Sequence, residues 1–166
     1  MSNYSSIKAK IVDSESLMSL INTWKSNGEK IVFTNGCFDI IHQGHIDYLA
    51  KASDLGSKLI IGVNTDRSVS AIKGEHRPIQ DEYSRLMILA AMQFVDALIL
   101  FDEDTPIDLI TKVVPNVLVK GSDYKAENIV GYKVVTENGG RVETLDFLEG
   151  YSTSGIESKI ILSNTK

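Results

Sequence analysis

The 166-residue chain has a single cysteine, Cys37, so it can form no intrachain disulfide and offers no thiolate cluster for zinc. That usage points to a reducing cytoplasm. Long hydrophobic runs are missing as well. The longest, residues 86–92, is far shorter than the roughly 20 residues needed to cross a bilayer, and the first ten residues contain no apolar core of signal-peptide length. There is no basic excess: 17 Lys and Arg face 22 Asp and Glu, a net charge of -5. Broad binding to nucleic acid or a membrane surface needs a basic footprint, so neither is expected. A local basic pocket for one small anion is still compatible with that balance. Two nucleotide fingerprints are also absent, G-x-G-x-x-G and G-x-x-x-x-G-K-[ST], which removes support for a hydride-transfer dehydrogenase or a P-loop kinase. Residues 150–155 have the wrong spacing for a nucleophile elbow, and no triad histidine follows them.

What is present is an ordinary globular composition, 43% hydrophobic and 23% charged. At this length one domain is expected, with residues 1–28 as an N-terminal helical extension and 30–162 as the core. Leu17, Met18, Leu20, Ile21 and Trp24 make a helical stripe over residues 14–26, and Gly28 supplies the stop. Short aliphatic runs follow at 31–34, 58–63, 97–101, 117–120 and 141–145. Their continuous apolarity predicts strands covered on both faces.

Helical segments separate these runs. One runs from Gly44 to Gly56. A second opens at Asp81 and Glu82 and carries residues 85–93. Thr105 and Pro106 read as an N-cap and first helical position. Gly139 and Gly140 close another helix, and Ser152, Thr153 and Ser154 supply a cap for the last. The alternation predicts a doubly wound, parallel five-stranded α/β sheet, in which ligands bind beyond the carboxyl ends of the strands. The segment 64–80 shows little helical or strand pattern and contains Gly74 and Pro78. It is expected to be a loop that closes over a bound ligand.

Two of the three histidines lie just after the first strand, in Phe-Thr-Asn-Gly-Cys-Phe-Asp-Ile-Ile-His-Gln-Gly-His at 33–45. With a helix starting near Gly44, His42 and His45 share one side of its first turn, beside unpaired backbone N–H groups that attract anions. That is the pattern of a phosphate site. Alone, His-x-Gly-His is equally compatible with two structural histidines; the strand and glycine turn before it favour phosphate.

The run Asn-Gly-Cys-Phe-Asp at 35–39, followed by His-x-Gly-His, resembles the nucleotidyltransferase (cytidylyltransferase-like) superfamily. Ser-Thr-Ser at 152–154 stands in place of its second, hydroxyl-rich signature. The resemblance covers roughly residues 30–162. Within the superfamily the chain is most similar to the heptose 1-phosphate adenylyltransferases. The ordered matches are Val-Asn-Thr-Asp at 63–66, Ile-Lys-Gly at 72–74, Arg-Pro at 77–78, Val-Asp at 95–96 and Phe-Asp-Glu-Asp-Thr-Pro at 101–106. Val-Lys-Gly-Ser-Asp-Tyr at 119–124, Asn-Gly-Gly at 138–140 and Tyr-Ser-Thr-Ser at 151–154 complete them. Ser154 departs from the Thr more common there, but the hydroxyl is kept.

The resemblance implies a Rossmann-like fold and transfer of AMP from ATP to D-glycero-β-D-manno-heptose 1-phosphate. It gives catalytic roles to His42, His45 and Lys73. Nucleotide binding falls to Asn35, Gly36, Cys37, Phe38, Gly44, Lys120, Gly121, Ser152, Thr153 and Ser154. Substrate binding falls to Asp39, Asn64, Arg77, Arg85 and Asp123. Arg85 has an equal alternative, an ion pair with a nearby Asp or Glu. Mg²⁺ would arrive with ATP, held largely by the triphosphate and water, since it tolerates few protein ligands. A cytoplasmic homo-oligomer, dimer or higher, is expected. In that family the activity often sits behind a sugar-kinase domain, for which this chain has no room, so a stand-alone version is expected. The rivals are a glycerol-3-phosphate-type cytidylyltransferase with the same histidines, and a catalytically silent nucleotide-binding module.

Overall fold

The computed structural model describes residues 2–164. All five expected strands form: β1 Ile31–Gly36, β2 Lys58–Asn64, β3 Ala97–Phe101, β4 Val117–Gly121 and β5 Arg141–Leu145. They build one sheet in the order β3-β2-β1-β4-β5, every pair parallel. The chain winds outward from β1 through β2 to β3, then crosses back to β4 and β5. The strand order therefore reverses between β1 and β4, and a crevice opens at their carboxyl ends.

Each strand faces two layers, which is why its sequence is apolar without alternation. Val32, Leu59, Ile61 and Leu98 pack under α3 (Gln43–Ser53) and α5 (Glu82–Ala90), against Leu49, Ala52, Leu86 and Leu89. Ile31, Phe33, Ile60 and Ile99 face α2 (Ser14–Ser26), α6 (Ile107–Val113) and α7 (Tyr132–Glu137), meeting Leu17, Ile21, Ile110 and Val135. β5 departs from the expectation. It is an edge strand with Arg141 and Thr144 exposed, and no residue in it is fully buried. The N-terminal extension is part of the fold: Leu17 and Ile21 of α2 are core residues, and Ile11 bridges Leu98 beside β3. A short helix, α1 (Asn3–Lys8), precedes them.

Helix starts follow side-chain chemistry. Asp13 accepts from the Ser16 amide and Asp81 from the Ser84 amide, both at 2.8 Å. Several boundaries differ from expectation, α3 among them, which ends at Ser53 rather than Gly56. Pro106 occupies the N-cap position of α6 without a side-chain bond, so Thr105 does not cap it. α5 stops at Ala90 rather than residue 93. Most important, 64–80 is not an open loop. Residues Asp66–Lys73 form α4, capped by Thr65 and ended by Gly74 at φ 102°. The helix buries only Ser68 and Val69, so it has almost no apolar stripe to announce it.

Candidate active site

β1 delivers the chain into the crevice, and residues 37–39 turn it towards α3. Phe38 makes that turn at φ 49°, sparsely populated for a residue with a Cβ. Its buried ring lies edge-on to His45, with centroids 5.5 Å apart. Gly36 leaves room for that ring, since a Cβ there would sit 3.1 Å from it. His42 is the extended N-cap residue of α3, and His45 lies in the first turn. Their rings stack at 3.9 Å with a 23° interplanar angle. Both Nδ1 atoms are buried without a hydrogen-bond partner.

Burial, then the neighbouring His42 and Lys73, push the His45 imidazole down to about 4; burial lowers His42 too. His45 is therefore neutral near pH 7. Stacked neutral rings above a helix N-terminus, with unspent hydrogen-bonding atoms, suit an incoming anion.

His45 lines a cavity of about 350 Å³ together with Asn35, Gly36, Cys37, Phe38, Asp39, Lys73, Lys120, Gly121, Asp123 and Thr153. Expected residues from β1, α4, β4 and α8 (Thr153–Ser163) thus meet in one place. Lys120 Nζ donates to the Asn35 carbonyl at 3.3 Å, and burial brings its ammonium down to about 8 despite Asp123 and Cys37. The Asn35 side-chain oxygen is buried and has no partner. Lys73 is the exposed last residue of α4 and reaches the cavity from a helix end rather than from a loop. Cys37 donates weakly from Sγ to the Asn64 side-chain oxygen at 3.8 Å, and burial raises its thiol, so it sits here as a small inert wall.

Other expected residues lie at one remove. His42 backs His45 rather than lining the cavity, and Gly44 clears space beside the His42 ring and Tyr151. Ser152 caps α8, accepting from the Gly155 amide at 3.0 Å, and Ser154 is exposed beyond the lining.

Three expected substrate contacts are instead bonded internally. Arg85 is fully buried; it donates to the carbonyls of Cys37 (2.5 Å), Asn64 (2.7 Å) and Gln80 (3.1 Å) and to the Asp66 carboxylate (2.9 Å). Of its two expected roles, the ion pair is the one the structure holds. Asn64 is buried and donates to Ser68 Oγ. Arg77 pairs with Asp39 and Glu157. Asp39 touches the cavity, yet its carboxylate accepts from Arg77 and from the Ile79 and Gln80 amides, which leaves little for a ligand.

Sequence reasoning missed Tyr48, Tyr124 and Phe147 in the lining. Tyr48 follows His45 by three residues on α3, a legible spacing, and pairs through its hydroxyl with Thr34 Oγ1 at 2.8 Å. Phe147 follows an edge strand with no motif around it. Its ring lies over Gly121, where a Cβ would come within 2.1 Å of it.

A cytidylyltransferase-like family profile matches residues 33–162. The bifunctional protein HldE of Methylobacillus flagellatus is 50% identical over 91% of this chain, and that of a Campylobacter jejuni strain is 53% identical over 91%. The chain spans about a third of the length of these curated relatives (31% of each). A crystal structure of the lipopolysaccharide core biosynthesis protein from Thermoplasma volcanium superposes with a TM-score of 0.59 at 30% identity. That match covers 75% of this chain and all of the other. Pantoate-beta-alanine ligase from Francisella tularensis shares the fold alone, with a TM-score of 0.62 at 17% identity over 89% of this chain and 75% of its own. The profile spans most of the chain and falls on the crevice built by β1, α3, β4 and α8, so this protein belongs to the cytidylyltransferase-like family.

Proposed function

We propose that the crevice transfers AMP from ATP to D-glycero-β-D-manno-heptose 1-phosphate, releasing pyrophosphate and ADP-heptose. The observation that carries the reading is one cavity at the β1/β4 reversal. It brings together His45, stacked on His42, with Lys73, Lys120 and Thr153. A sugar-phosphate oxygen forms a bond to the α-phosphorus, the bond from that phosphorus to the α,β-bridging oxygen breaks, and pyrophosphate takes the electron pair. The attacking oxygen is already ionised, so positioning and charge stabilisation do the work and no protein nucleophile is required. His42 and His45 donate to the α- and β-phosphates, Lys73 to phosphate oxygens, and Thr153 and its cap neighbours to the far end of the triphosphate. The nucleotide face includes Asn35, Gly36, Cys37, Phe38, Lys120 and Gly121, and Asp123 accepts sugar hydroxyls.

Among the described residues no three His, Cys, Asp or Glu side chains cluster as a metal cage. In this reading Mg²⁺ would arrive on ATP as part of that substrate, held largely by the triphosphate and completing its shell with water. The relative named for lipopolysaccharide core biosynthesis supports a sugar-phosphate acceptor. The reading places the protein in the cytoplasm as a homo-oligomer; among the described residues no helix is long and apolar enough to cross a membrane, and Ile160 and Leu162 of α8 are exposed.

Pyrophosphate release over a panel of nucleotides and sugar phosphates tests the reading. ATP with heptose 1-phosphate is expected to give the highest kcat/KM. A preference for CTP with glycerol 3-phosphate would move the protein to the cytidylyltransferase reading, and no turnover with any pair would leave a nucleotide-binding module.

A further inference from the structure

α8 carries Thr153 to the cavity, yet none of its side chains is buried, so packing alone does little to fix its angle. A polar tie does more. Glu157 follows Thr153 by four residues, on the same face of the helix, and pairs with Arg77 Nη2. The other end of that guanidinium is held at 2.6 Å by Asp39, whose side chain is fully buried. Burial alone would raise the Asp39 carboxyl, but bonds from the Gln80 and Ile79 amides and Arg77 outweigh it and hold it below the usual range. The Arg77 carbonyl in turn accepts from Ser70 of α4. An exposed ion pair between two long, free side chains contributes little, because ordering both offsets the attraction. Here Asp39 already orders Arg77, whose side chain is only 18% exposed, so Glu157 meets a preset partner.

We propose that Asp39, Arg77 and Glu157 form a positioning relay that sets the cavity-facing end of α8 against the turn after β1. Arg77 is then a positioning residue and not a substrate ligand. The relay couples the helix that presents Thr153 to the turn that leads into α3 and His45. It rests on the reading that the Thr153 end of α8 receives nucleotide phosphates.

The test is Glu157→Lys, which sets a like charge against Arg77 at a partly exposed position, with Glu157→Gln as the milder variant. Amide exchange in the first two turns of α8 is expected to quicken about tenfold, and the KM for ATP to rise about tenfold, the change that corresponds to loss of a moderate charge contact. The kcat at saturating ATP should stay within about threefold, since the chemical groups are untouched. Glu157→Gln should fall between wild type and Glu157→Lys in both readouts. Unchanged α8 exchange, an unchanged KM, or a fall in kcat with KM unchanged overturns the relay. If the wild-type protein releases no pyrophosphate with any nucleotide, the functional reading fails, and exchange in α8 still decides the relay on its own.

Discussion

The floor and the rim of the crevice are built on opposite principles. Under the floor the charged groups are spent, and the Gln80 side-chain oxygen is the one buried atom of that network left without a partner among the described residues. Arg85 donates to three carbonyls and a carboxylate, and the Asp39 carboxylate accepts from one guanidinium and two amides. Around the rim, polar groups are left unspent. Lys73 is exposed at a helix end, the Nδ1 atoms of His42 and His45 lack partners, and the Asn35 side-chain oxygen has none. Satisfied buried networks specify a fold, whereas unsatisfied buried groups destabilise it and are retained where a ligand supplies the missing partner. The contrast separates Arg77 and Arg85, which the family resemblance placed with the substrate and, for Arg85, equally with an acidic partner, from the histidines, whose Nδ1 atoms have no partner among the described residues.

The largest test of that division is Arg85→Met. It removes the donor shared by Cys37, Asn64 and Gln80 and strands their carbonyls beneath the crevice. Such a loss costs about 3–5 kcal/mol, or roughly 10 °C in melting temperature for a domain of this size. Urea or thermal denaturation reads it directly. A melting point within a degree or two of wild type would show that the floor does not depend on this side chain.

The division also explains what was legible in the sequence. Strands β2 to β4 could be read because continuous aliphatic runs have few other fates in a chain this polar, and β1 with its histidines because motif and topology coincide. β5, by contrast, holds only Val142 and Leu145 among polar residues. α4 escaped because only Ser68 and Val69 are buried, although Thr65, Asp66 and Gly74 carried a cap and a stop. The ion pair of Arg85 was one of its two readings, but its other bonds were not legible because they go to backbone carbonyls, which leave no trace in side-chain pattern. Phe147 and Tyr124 reach the cavity from separate loops after β5 and β4, a meeting that depends on tertiary placement.

His45→Ala sharpens the comparison from the rim side. Losing one preorganised donor to a developing phosphate charge lowers kcat by about 10²–10³. The melting temperature should move far less than in Arg85→Met, because His45 Nδ1 makes no bond in the folded chain. His42→Ala should follow it with a smaller loss, since His42 stacks behind His45 and lies outside the lining. Circular dichroism with single-turnover kinetics separates the two effects. Near wild-type turnover in folded His45→Ala would take the histidine out of the chemistry.

The smallest expected effect is a fraction of a proton. Within the protein alone, burial, His42 and Lys73 disfavour the His45 imidazolium and push it down to about 4. A triphosphate brings negative charge against the same ring and favours the charged form, so the value with nucleotide bound lies higher. The sign follows from linkage. Between about 4 and the bound-state value, binding draws a proton onto the imidazole, and nucleotide affinity increases as pH falls through that window. Above the bound-state value both states are neutral and His45 adds no pH dependence. His42, also lowered by burial, acts in the same direction. Calorimetry of ATP binding at pH 5.5, in two buffers of different ionisation enthalpy, measures the net proton exchange. The difference between wild type and His45→Ala cancels the titration of the nucleotide itself. Wild type should take up more protons than the variant. Equal uptake would mean that the phosphates do not approach His45, and the rim would then have to be assigned to some other ligand.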